Sequence, residues 1–226
     1  MRRAIAAILS VTALFVGASL MARPAQAEAG DLGVRIRGIA VLPTAESNGI
    51  QPTLGNSQLR AGNAVVPELD FTYFFSDNIA AELILATTRH QIEGRGGIAN
   101  LGNAASAWLL PPTLTLQYHF NPGGDFQPYL GAGLNYTMFY GEDADGALIN
   151  AVGATKVEAE DSFGLAVQAG LDYRIAENLF LNVDVKYVRI STDVTLRTAN
   201  IGVQRTTLDI NPVIVGVGIG YRFSLF

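Results

Sequence analysis

From residue 33 onward apolar and polar residues alternate with a period of two, in one segment after another, and stretches rich in Gly, Asn, Asp and Pro separate the segments. The pattern predicts strands over 33–42, 65–75, 79–88, 110–120, 127–140, 162–175, 179–192 and 208–223. Their connections alternate in length. Ser76-Asp77-Asn78, Asn121 to Phe126 and Ala176-Glu177-Asn178 read as tight turns, whereas 43–64, 89–109, 141–161 and 193–207 read as long loops, polar or rich in small residues. An all-β, eight-stranded antiparallel transmembrane β-barrel has this layout, with short periplasmic turns on one rim and long extracellular loops on the other.

Strand parity sorts the residues onto two faces. One face reads Leu69, Phe71, Tyr73, Phe75; Ile79, Ala81, Leu83, Leu85; Leu114, Leu116, Tyr118, Phe120; and Leu130, Ala132, Leu134, Tyr136. It continues through Phe163 to Tyr173, Leu179 to Tyr187 and Val213 to Phe223. Its aromatics cluster by height: Tyr73, Phe75, Tyr118, Phe120, Tyr173, Tyr221 and Phe223 fall near the short-turn rim, and Tyr136, Tyr140, Phe163 and Tyr187 near the other. Two such girdles mark a lipid-facing surface. A soluble lipocalin-like barrel would turn the apolar stripes inward and has no need to sort aromatics by height.

The alternate positions then fill the lumen. Toward the periplasm they are Arg35, Arg37, Glu68, Asp70, Glu82, Gln117, His119, Asp172, Arg174, Asn182, Asp184, Lys186 and Arg222. Eight strands leave a bore that side chains fill, so these charges are expected to pair and to plug the barrel. A wide porin is excluded on size. Higher on the same face lie Ile39, Val41, Val66, Ile84, Ala86, Phe139, Val188, Ile190 and Ile214, and Trp108 is counted with this wall. A lumen charged below and apolar above describes a pocket for a small hydrophobic molecule, open toward the loops. A one-residue slip in register would exchange the faces. Inward glycines at 131, 133, 164, 170, 216, 218 and 220 make room for larger neighbours.

Composition adds the compartment. Arg2 and Arg3, a mainly apolar run from Ala4 to Met21 and Ala25-Gln26-Ala27 form the three parts of a cleavable secretory signal, with Glu28 as the first mature residue. A membrane-anchoring helix is the competing reading, and the Arg23-Pro24 break with the small-residue cleavage site favours removal. Cleavage would take three of the 15 basic residues and none of the 20 acidic ones, moving the formal charge from −5 to −8. That balance argues against nucleic acid as a partner. With no cysteine, disulfides, zinc-thiolate sites and thiol chemistry are excluded. Although 49% of residues are hydrophobic, no apolar run after residue 27 reaches the roughly 20 residues of a membrane helix, and the remaining way to span a membrane is a closed barrel.

The stretch Trp108-Leu-Leu-Pro-Pro-Thr-Leu-Thr-Leu-Gln-Tyr-His-Phe120, followed by Pro128-Tyr-Leu-Gly-Ala-Gly-Leu-Asn-Tyr136, resembles the OmpW family of outer-membrane proteins. Asp70 to Phe75, Asp77 to Glu82 and Tyr221-Arg222-Phe223 look like the same family's flanking motifs, and the resemblance covers nearly the whole mature chain. It implies a hydrophobic channel in the lumen that brings small apolar compounds across the lipopolysaccharide layer and releases them sideways into the membrane, as in the related AlkL-type importers. The chain departs from the family pattern in continuing through Ser224-Leu225-Phe226 beyond Phe223. Either Phe223 or Phe226 therefore ends the barrel-assembly signal.

Catalysis is not indicated. His119 belongs to the charged lumen, His90 falls in a loop without an obvious partner, and no hydroxyl and carboxylate are arranged around either in a recognisable order. The acidic residues Glu142, Asp143, Asp145, Glu158, Glu160 and Asp161 lack the spacing of a calcium loop, and no cofactor or metal is implied. Two functions remain: a passive conduit for small hydrophobic solutes, and a structural or surface-interaction barrel that presents its loops. Expected partners are outer-membrane lipid and lipopolysaccharide, small hydrophobic solutes and the barrel-assembly machinery, with a monomer as the default state.

Overall fold

The computed structural model describes residues 28–225; the expected signal segment, 1–27, and Phe226 lie outside the described residues. In chain order the strands are β1 (Asp31–Leu42), β2 (Ser57–Ala61), β3 (Ala64–Phe74), β4 (Ile79–Ala86), β5 (Thr88–Gly96), β6 (Asn103–Leu110), β7 (Thr113–His119) and β8 (Phe126–Ala144). A short helix α1 (Gly146–Val152) precedes β9 (Thr155–Ala159), β10 (Ser162–Arg174), β11 (Leu179–Val188), β12 (Ser191–Thr198), β13 (Gly202–Asp209) and β14 (Val213–Ser224).

Eight of these close a ring in the order β1-β3-β4-β7-β8-β10-β11-β14, every neighbour antiparallel. Closure leaves the ring no free strand edge, which is what a lipid environment demands. The seam between first and last strands is in full register, from Asp31 opposite Ser224 to Leu42 opposite Val213. The three expected tight turns connect β3 to β4, β7 to β8 and β10 to β11.

The four expected long loops are not loops throughout. The barrel wall continues upward as β5 and β6, joined by the upper half of the long strand β8, and β2 pairs with β5 at the edge. A second sheet, β13-β12-β9, extends the opposite wall. Alternation persists in β5 and β12, with Val194 and Leu196 buried between exposed Asp193 and Arg197, and breaks in β6, where Ala104 to Ala107 are all buried. It escapes notice in the sequence because the outward residues are polar and the inward ones on β6 are small, as at Ala105 and Ala107. The expected strands 179–192 and 208–223 are each divided, at Arg189-Ile190 and at Ile210-Asn211-Pro212. Proline 212 lacks the donor a continuous ladder needs.

Among the described residues no helix is long and apolar enough to cross a membrane. The spanning elements are the strands. Ile36, Leu83, Leu116, Leu134, Leu165, Val185 and Val217 stand exposed on the outside of the ring, a continuous apolar band for lipid chains.

Candidate functional site

The lower lumen is solid. Arg37 on β1 sits among four carboxylates, 2.8 Å from Asp70, 2.5 Å from Glu82, 3.1 Å from Asp184 and 3.5 Å from Glu68. Arg35, one inward step lower, meets Asp172 at 2.6 Å and Glu82 at 3.0 Å, and Lys186 meets Glu68 at 2.6 Å and Asp184 at 2.8 Å. Glu82 also accepts from Gln117 and Gln168. Arg222 forms the floor, donating to Gln127 and lying over the rings of Phe74 and Phe180. Residues from all eight ring strands thus meet here, and Arg35, Arg37 and Lys186 each find opposite charges away from water.

Two members of this network were misplaced or missed. Arg174 is not in it: it stands at the last position of β10 and folds back over the turn, donating to the carbonyls of Gly123 and Gly124. Tyr129 is in it, buried on β8, with its hydroxyl donating to Asp184 and accepting from Asn182. Its signal was the parity it shares with Gln127, together with Gly170 on the neighbouring strand, where a methyl group would lie 2.3 Å from the Tyr129 ring. His119 is packed between Phe74 and Tyr129, with Nε2 3.0 Å from Gln117.

Above this plug the lumen turns apolar. A lower chamber of about 540 Å³, counting the part that opens to solvent, is walled by Ile39, Val41, Ile84, Val188, Ile190 and Ile214 and floored by Glu68 and Lys186. An upper chamber of about 700 Å³, measured the same way, lies inside the extension between Ile50, Ile92, Phe139, Leu148, Val157 and Leu196. Val66 is only partly buried and packs against this apolar core from β3. Trp108 is corrected: it shares the outward parity of Leu114 and Leu116 and stacks on Tyr140 at 6.2 Å on the outer surface, where it completes the upper aromatic girdle. Sequence reasoning placed His90 in a loop; it is buried on β5, facing both chambers.

The ring wall has a weak place beside the lower chamber. The β4–β7 ladder stops at Ile84 opposite Thr113, and the β5–β6 ladder resumes at Thr88 opposite Leu109. Between them lie Pro111 and Pro112, which have no N–H to donate. Pro111 lines the lower chamber along with Ala86 across the gap.

Three acidic residues of the extension have local tasks. Asp145 caps α1 by accepting from the Ala147 amide, Asp161 accepts from the Tyr136 hydroxyl and the Phe139 amide, and Glu158 joins Lys156 and Arg197. No group of His, Cys, Asp and Glu among the described residues is arranged to hold a metal ion.

A closed eight-stranded ring with an apolar girdled exterior, a charged plug and apolar upper lumen is an outer-membrane β-barrel. Its family is equally clear: residues 28–223 match the OmpW family, and the chain belongs to it. It is 36% identical to outer membrane protein W of Vibrio cholerae over 95% of this chain and 99% of that one. Outer membrane protein AlkL of Ectopseudomonas oleovorans is 31% identical over 75% of this chain and 71% of its own. The crystal structure of OprG from Pseudomonas aeruginosa superposes with a TM-score of 0.82 at 29% identity, covering 89% of this chain and 99% of that one.

Proposed function

We propose that the barrel is a passive conduit for small hydrophobic molecules, which enter from the extracellular end, occupy the two apolar chambers and leave sideways into the membrane. The observation that carries this reading is the stacking of two apolar chambers on a sealed ionic plug. An apolar solute gains about 25 cal/mol for each Å² removed from water, so the lumen draws it in, and the plug denies it the straight path to the periplasm. The interrupted ladder at Pro111-Pro112 supports an exit beside the lower chamber, because opening there sacrifices fewer strand-to-strand hydrogen bonds than elsewhere around the ring. Export with removal of residues 1–27 belongs to the same reading, and a mature chain starting at Glu28 is what mass measurement of the native protein should return.

The test is transfer of an apolar fluorophore into liposomes that carry the refolded barrel. Phe139→Asp in the upper chamber and Val188→Asp in the lower one should each slow transfer at least about tenfold, since either sets a carboxylate in an apolar passage, while the barrel still assembles. Transfer no faster than through protein-free liposomes would move the function to the surface-presenting alternative, in which replacing the extension abolishes activity and lumen polarity is immaterial.

A further inference from the structure

The two chambers meet at a waist. His90, Leu109 and Ile210 line both, and His90 is the polar member of the three. β5 aims it inward with Thr88 and Ile92, and its partner across the ladder is Ala107, too small to cover the imidazole. His90 Nδ1 lies 2.7 Å from the carbonyl oxygen of Gly62. A carbonyl only accepts, so Nδ1 carries the hydrogen, and in the neutral ring Nε2 is left as a bare acceptor. The residue lies above the membrane-spanning part of the wall, and burial pushes its imidazole below the ordinary range, against the opposing pull of the Gly62 carbonyl. Among the described residues Nε2 makes no hydrogen bond and no carboxylate pairs with the ring. Of the other polar groups lining the chambers, Ser106 accepts from Arg89, Thr192 donates to the Glu160 carbonyl, Thr113 donates to the Pro111 carbonyl and Glu68 is held by Lys186, while Glu142 lines the upper chamber alone and Thr88 the lower one alone.

We propose that His90 is a specificity-determining residue of the conduit, whose Nε2 accepts a hydrogen bond from cargo with a compact apolar body and one hydroxyl or N–H donor. Phenols, alcohols and indole-like compounds are thereby favoured over ethers and hydrocarbons of the same shape. The inference rests on the conduit reading. A hydroxyl entering an apolar passage loses its water partners, and an acceptor where the two chambers meet restores one. A molecule without a donor has nothing to gain there. Leu109 and Ile210 hold the apolar body while Nε2 reads the donor.

The experiment compares 2-naphthol with 2-methoxynaphthalene, which share the aromatic body and differ in the donor. Full-length barrel in liposomes should pass 2-naphthol roughly five- to tenfold faster, the worth of one neutral hydrogen bond. His90→Leu should erase that preference, bringing the ratio of the two transfer rates to about one whatever their absolute values; a preference that survives the substitution overturns the proposal but not the conduit. Imidazole nitrogen NMR on the unsubstituted barrel provides a second readout that requires no variant to fold. The chain has two histidines, and His119 lies below in the plug. 2-Naphthol, and not its ether, should shift the unprotonated nitrogen of one ring. If both compounds fail to cross, the conduit reading fails, and the nitrogen signal still decides whether His90 binds a donor. No shift with 2-naphthol overturns the proposal.

Discussion

The membrane band and the extension above it are built by the same chain path and obey opposite rules. Along β11 and β12 one set of alternate residues runs Asn182, Asp184, Lys186, Val188, Ile190, Thr192, Val194 and Leu196, and every one is buried. The other set runs Leu181, Val183, Val185, Tyr187, Arg189, Ser191, Asp193, Thr195 and Arg197, all exposed but for the half-buried Ser191 and Thr195. Which face points inward never changes, but its chemistry inverts between Lys186 and Val188 inside and between Tyr187 and Arg189 outside. β4 and β5 repeat this, with Glu82 giving way to Ile84, Thr88 and Ile92 inside, and Leu83 giving way to Arg89 and Gln91 outside. The difference is the solvent. Where lipid covers the outside, apolar side chains belong there and the interior is free to hold ions; where water covers it, the apolar residues turn inward and form an ordinary core. The two chambers are what remains where an apolar core encloses space above a polar one.

The sharpest way to break the lower half is to remove its central cation. Arg37 serves four buried carboxylates, and Arg37→Met fills the space while leaving them without that charge. Removing one partner of a buried ionic cluster costs about 3–5 kcal/mol. Urea unfolding of the refolded barrel in lipid vesicles should show a loss of that size. A loss below about 1 kcal/mol would mean that the network does not hold the plug together.

A matched pair of outward substitutions sharpens the boundary between the halves. Val183→Arg places a charge in the middle of the lipid-facing band and should cost about 2–4 kcal/mol. Thr195→Arg, on the water-facing side of β12, should stay within about 0.5 kcal/mol of the parent. Equal costs at the two sites would contradict a membrane surface near Tyr187.

Much of this architecture is legible in the amino-acid order, and what is not has identifiable causes. The spanning strands declare themselves because large apolar residues alternate with charged ones, as in Leu181 to Tyr187, and the pairing of buried charges follows from the narrow ring. The extension hides because its inward residues are small or hydroxylated, as at Ala104, Ala105 and Thr192, and because β6 and β8 shift register between Ser106 and Trp108. Parity then says little about that wall, and Trp108, counted with the lumen, stands on the outer face with Leu114. Arg174 was misassigned because alternation cannot say where a strand ends, and the last side chain of β10 belongs to the turn. His90 was unreadable for another reason: its role comes from Gly62, Leu109 and Ile210, which are distant in sequence and meet only when the extension closes.

The smallest expected effect separates the two regions by their access to water and salt. Glu158 on β9 lies on the outside of the extension, 2.5 Å from Lys156 and 3.1 Å from Arg197 on β12, and these hydrogen-bonded cations hold its carboxyl below the ordinary value of 4.5. A carboxylate whose value is lower in the folded state stabilises that state above its unfolded value, and the contribution is lost as pH falls through the folded one. Hydrogen exchange of the β9 amides, corrected for the intrinsic rate, should therefore quicken slightly, by about twofold, as the pH falls from about 6 to below 4, and Glu158→Gln should remove that dependence. About 1 M salt at neutral pH should mimic the acid effect, because the screening length there is about 3 Å. The ion pairs around Arg37 are shut away from solvent ions, so the same salt should leave exchange in β1 and β3 unchanged. If salt loosened both regions equally, the plug would be open to water, and the straight path that the conduit reading denies would exist.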